Sequence, residues 1–227
     1  MAVGIGNGPA DPPKAMFEYV ETRVWESFPA DPTVPAETGP GRHIRFWTTG
    51  RGVSRTVVIN DARGCPPETD ESDEALGPFD GPLSSDPDAV RRQILQEPLP
   101  PKVVPDVFGQ VADFYSDRFV PQTTRQGVLR MLARVPGITV QTGVTDRTGR
   151  AGFAVMWTYQ PAAPFTVTKT LIFDALAGQL LSSHSRAHRR PDATTPPQPT
   201  DEYEIFVLFV ASTYTPDTRT PAVTCTT

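Results

Sequence analysis

The residues that could move a proton or hold a metal are few. The chain has three histidines, His43, His184 and His188, and histidine is the side chain whose charge ordinarily changes near neutral pH. His184 and His188 are four apart, a spacing that presents a metal pair on a helix. Leu180 to Arg189 follows an Ala177-Gly178 turn and reads as a strand, however. At about 3.3 Å per residue the two rings then stand roughly 13 Å apart and share no metal. Among the carboxylates, Glu18 and Glu21 fall on opposite faces of one predicted strand. Glu202 and Glu204 share a face at a strand entrance, and neither pair has the signature of a glycosidase site. The candidates for a single acid or base are therefore His43, His184, Glu21 and Arg45, and no motif makes any of them catalytic.

Other chemistries are absent as motifs. There is no Walker loop, no dinucleotide turn, no Gly-x-Ser-x-Gly elbow, no Cys-x-x-Cys and no His-Glu-x-x-His. Gly4-Ile5-Gly6-Asn7-Gly8 follows no strand and opens no helix. Glu68, Asp70, Glu71, Asp73 and Glu74 read as a solvated acidic loop, without the glycine and final glutamate of a calcium loop. The sequence thus implies no metal and no cofactor.

The elements that must position these residues follow from periodicity. Met16–Glu26 alternates as a strand, with Phe17, Tyr19, Glu21, Arg23 and Trp25 on one face. Arg42–Thr49 and Val53–Ile59 form a hairpin about Gly50-Arg51-Gly52. Ser85-Asp86-Pro87-Asp88 is a helix start, with Asp86 as cap and Pro87 in the first turn. A second helix opens at Pro105 and ends before Pro121, and a third spans about Thr123 to Ala133. Strands return at 138–144, 152–160, 165–174, 180–188 and 203–214. Strands segregated from helices predict an α+β domain, an antiparallel sheet packed on about three central helices. Residues 15–214 read as that domain, with a flexible segment at 1–14 and a tail at 215–227.

Composition narrows the partners. The 227 residues carry a net charge of −5 and a pI near 5.2, which argues against nucleic acid. The basic cluster Arg186, His188, Arg189 and Arg190 reads as a solvated strand end. The longest uncharged apolar run, Ile205–Ala211, falls far short of the roughly 20 residues a spanning helix needs. Met1–Pro13 has neither the basic start nor the apolar block of a signal peptide. The chain is then either cytoplasmic or an ectodomain of something longer. Cys65 and Cys225 sit in loop-like settings. A disulfide between them would tie the tail to the body, stabilise by roughly 5 kcal/mol, and require an oxidising compartment.

Trp25, Phe46, Trp47, Trp157, Tyr159 and Phe173 all fall on predicted strands. They either fill an ordinary core or line an apolar cavity for a lipid-like ligand.

Several segments resemble a known family. They are Phe17-Glu18-Tyr19-Val20-Glu21-Thr22, the run Leu83 to Arg92 (LSSDPDAVRR), Leu129 to Val140 (LRMLARVPGITV), and Leu171-Ile172-Phe173-Asp174 followed by Gly178-Gln179-Leu180-Leu181. Over about residues 15–190 the chain resembles actinobacterial extracytoplasmic domains encoded beside extracytoplasmic-function sigma factors. The resemblance implies a fold similar to LolA-type lipoprotein carriers, a half-open barrel with helices on its concave side. It also implies a sensor or ligand-binding role, an extracytoplasmic location, and as partner an apolar ligand or a membrane-associated or regulatory protein. The shared motifs are structural, so a soluble enzyme of specialised metabolism stays open as the alternative. Such a cyclase or isomerase would use an apolar cavity and one acid or base.

Overall fold

A computed structural model describes residues 11–27, 41–49, 54–60, 68–72, 82–95, 106–160, 165–189 and 202–218. Cys65 and Cys225 lie outside these residues. Strands β1 (Phe17–Ser27), β2 (Arg42–Thr48), β3 (Ser54–Asn60) and β4 (Glu68–Ser72) come first. Helices α1 (Pro87–Leu95), α2 (Val107–Asp117) and α3 (Gln122–Leu132) follow. Then come β5 (Ile138–Thr145), β6 (Ala151–Tyr159), β7 (Phe165–Asp174), β8 (Leu180–Arg189) and β9 (Tyr203–Thr215). All nine strands form one open antiparallel sheet, in the order β4-β3-β2-β1-β9-β8-β7-β6-β5. The expected α+β architecture is present. The first and last strands pair at the centre of the sheet, so the two strand sets flanking the helices become one layer.

Strand β4 departs from the sequence expectation of an irregular acidic loop. It pairs with β3 from Ser54↔Ser72 to Val58↔Glu68. An edge strand needs no apolar alternation, and charge on such an edge is a usual guard against unwanted pairing.

Local chemistry sets the helix ends. Asp86 Oδ1 accepts from the backbone N–H groups of Asp88 (3.2 Å) and Ala89 (2.8 Å). Asp106 caps α2, accepting from Gly109 N at 2.9 Å. Helix α3 has Pro121 at its cap position and no cap from that residue. Its first N–H, on Gln122, instead donates to Asp11 Oδ2 at 2.9 Å. Asp11 also pairs with Arg125. The Asp11 carboxylate thus meets both the positive helix end and a buried guanidinium.

One face of the sheet carries the helices. Its Phe153, Val155, Leu171, Phe173, Leu180 and Phe209 pack with Val90, Ile94, Phe108, Phe114, Tyr115 and Leu132. Each large side chain so buried contributes about 1.5–3 kcal/mol. Glu18 fastens β1 to the end of α2. It accepts from Arg118 Nε (3.2 Å), Arg118 Nη2 (3.1 Å) and Phe119 N (3.3 Å).

Candidate functional site

Alternation along β1 places Tyr19, Glu21, Arg23 and Trp25 on the face away from the helices. The register with β2 sets Glu21 opposite Arg45 and Arg23 opposite His43. Three of the four acid–base candidates thereby meet. His43 Nε2 lies 2.5 Å from Glu21 Oε1, and Arg45 Nε lies 3.4 Å from the same oxygen. Tyr19, which sequence reasoning did not single out, donates its hydroxyl to Glu21 Oε2 at 2.6 Å. The Glu21, His43 and Arg45 side chains are only 15–17 % exposed.

This environment sets the protonation states. The hydrogen bond from His43 depresses the Glu21 carboxyl to about 2, against the opposing effect of burial; the Tyr19 hydroxyl and the charges of His43 and Arg45 assist. Burial, then the hydrogen bond and charge of Glu21, raise Tyr19 well above its ordinary value. Near neutral pH Glu21 is a fixed anion and Tyr19 a fixed neutral donor. A carboxylate so acidic is a poor general base, because a base works best with a pKa near the operating pH. The Nε and Nη1 groups of Arg45 are buried without hydrogen-bond acceptors among the described residues.

His184, the fourth candidate, lies on the same face but in a separate pair. Its Nε2 is 2.7 Å from Glu204 Oε1, with His184 35 % and Glu204 8 % exposed. The ring stands edge-on to Phe206 at 6.1 Å, and Phe206 packs on Trp25 at 5.7 Å. Guanidinium groups cover these rings. Arg147 sits 5.2 Å over Phe206, and Arg23 5.9 Å over Trp25. Gly41 makes the approach to Trp25 possible, since a Cβ there would sit 2.7 Å from the indole nitrogen. His188 is exposed on the same strand, and Arg186 stands opposite Glu204 in register.

The six ring residues considered as ligand contacts are divided by the sheet. Phe46 pairs with Val20 on the helix face. Phe173 is fully buried there and stacks on Phe153 at 5.7 Å. Trp157 stacks on Phe108 (5.6 Å) and Tyr159 (4.1 Å). Trp25 and Trp47 lie on the other face, with Trp47 against Tyr19 at 5.0 Å. The six are thus divided between the two faces of the sheet, and Trp157, Tyr159 and Phe173 each stack on another ring.

A cleft of about 220 Å³ opens where α3 begins, walled by Phe119, Leu180 and Phe209 with Arg125, Arg150 and Asp11. Ligand pockets run from about 300 to 1,000 Å³, so the cleft suits a molecule smaller than a lipid. Among the described residues, no group of three or more His, Cys, Asp or Glu side chains could hold a metal. No described helix is long and apolar enough to cross a membrane.

Sequence reasoning missed Tyr19, Glu204, Phe206 and Arg147 as members of these clusters. Alternation already placed Tyr19 beside Glu21 on one face, and that was the available signal. Glu204 and Phe206 join through strand register and Arg147 from the turn between β5 and β6, and no local pattern encodes either approach. No protein-family model matches the chain, and no curated protein matches it.

Proposed function

We propose that the chain is a noncatalytic, extracytoplasmic binding or sensing domain that engages a partner protein through the sheet face opposite the helices. The observation that carries this reading is the Tyr19–Glu21–His43–Arg45 cluster. Its carboxylate is locked as an anion by three of the chain's own side chains, which makes a fixed donor–acceptor array rather than a proton shuttle. Beside it lie Trp25, Arg23 and Arg147, aromatic and arginine side chains of the kind enriched at protein interfaces, against the buried ring of Phe206. The helix face is stacked with its own rings, which supports a protein partner over a lipid held inside a LolA-like barrel. The sequence resemblance supports the location and the sensing role.

The test is a photo-crosslinking residue at Arg23, on the proposed face, compared with one at Arg130, exposed on α3. Both would be expressed in an actinobacterial host. A discrete protein adduct from position 23 alone is expected. Adducts from neither position, or equally from both, would sink the reading. Native mass spectrometry of the same preparation tests the lipid-like ligand, whose mass is expected to be absent.

One observation favours the enzyme alternative. His184 is partly exposed and oriented by a buried carboxylate, the arrangement a single acid–base catalyst needs.

A further inference from the structure

The sheet ends on two edges of different chemistry. The β4 edge, Glu68-Thr69-Asp70-Glu71-Ser72, is acidic by sequence. The β5 edge, Ile138-Thr139-Val140-Gln141-Thr142-Gly143-Val144-Thr145, has no charged residue and no proline. Natural edge strands are usually blunted by charge, proline or bulges, because their outward N–H and C=O groups template another strand. Residues 139–143 are exposed, and the apolar side chain of Val140 is 39 % exposed. The register with β6 is regular from Ile138↔Trp157 to Thr142↔Phe153 and shifts before Val144. Gly143 stands there with φ 70°, so a bulge ends the regular edge. Ile138 to Thr142 therefore form a regular, uncharged template of ordinary strand length, β-branched at every position but Gln141.

We propose that this edge pairs with the same edge of a second copy of the chain. The two β5 strands run antiparallel about a two-fold axis at Val140, with Ile138 opposite Thr142 and Thr139 opposite Gln141. A second copy is the occupant because antiparallel self-pairing of this segment sets no like charges across the ladder. Self-pairing of the acidic β4 edge would do so. Val140 points to the same side of the sheet as its partner Val155, and Val140 of the second copy covers it. The interface is isologous, as in most soluble homodimers.

Sedimentation velocity on the intact chain tests this, in a concentration series up to about 1 mM, the weak limit of specific association. A reversible monomer–dimer equilibrium is expected. Because residue 140 faces itself, Val140→Lys and Val140→Glu each place like charges on the axis, and each should weaken the dimer by about tenfold or more. An equimolar mixture of the two variants should restore it. Hydrogen exchange on the unmodified chain gives a readout that needs no variant: amides of residues 138–142 should slow as concentration rises. A chain that stays monomeric throughout, a dimer indifferent to both substitutions, or a mixture that fails to re-associate overturns the proposal. So does exchange at 138–142 that is independent of concentration.

Discussion

Replacing Glu21 by glutamine keeps the volume of the side chain and removes the charge at the centre of the Tyr19–His43–Arg45 cluster. Glu21 titrates near 2 in the fold instead of 4.5. That difference corresponds to about 3 kcal/mol of stability at neutral pH. The side chain is 15 % exposed, and solvent screening lowers the expected loss to about 2 kcal/mol. The folded value lies below the unfolded one. The contribution is therefore fully present above the unfolded value of 4.5 and is lost as pH falls toward 2. Urea unfolding of the wild-type chain and Glu21→Gln at pH values of about 7, 5 and 3 measures this directly. The variant should be less stable by about 2 kcal/mol near neutrality, and the gap should shrink by more than half by about pH 3. A neutral-pH gap below about 0.5 kcal/mol, the worth of an exposed ion pair, would refute the reasoning. So would a gap that persists undiminished on acidification.

Three further outcomes rest on other parts of the fold. Burial, with Asp113 adding its charge, raises Asp117 to about 6. The folded state then holds a proton that the unfolded state releases, and stability falls as pH rises from 3.8 through about 6. Asp117→Asn should stabilise the chain by about 1–2 kcal/mol near pH 7 and leave it unchanged below about pH 3.5, as read by thermal melts at both pH values. At Gly152 an added Cβ would meet the Phe173 carbonyl oxygen at 2.3 Å. Gly152→Ala should therefore force β6 and β7 apart and cost about 2 kcal/mol or more in urea unfolding. Gly137→Ala, at φ 78° with open space around it, should cost only about 1 kcal/mol.

Much of the architecture was legible in the residues themselves. Asp86-Pro87-Asp88 marks the start of α1 because capping is a local interaction, readable over a few positions. The alternation of Phe165–Asp174 sorts Val167, Leu171 and Phe173 to the buried side because a strand's period is two. The same rule put Glu18 and Glu21 on opposite faces, where one meets Arg118 and the other His43.

What local pattern could not supply was long-range pairing. The β1–β9 contact that merges the two strand sets joins residues nearly two hundred positions apart. The β1–β2 register, which brings His43 and Arg45 to Glu21, depends on where the intervening chain lets the strands meet. Asp11 at the start of α3 could not be foreseen either, because Pro121 offers no cap and the replacement comes from a distant segment. Strand β4 was hidden because its pairing is made by backbone groups, which every sequence carries alike. Apart from β4, the sequence by itself determined which residues form strands and helices and which side of each is apolar, because those choices rest on short-range sterics and hydration. Tertiary structure alone decided which polar residues of different strands become neighbours and how the sheet divides the rings, because strand register and order are set by contacts between distant segments.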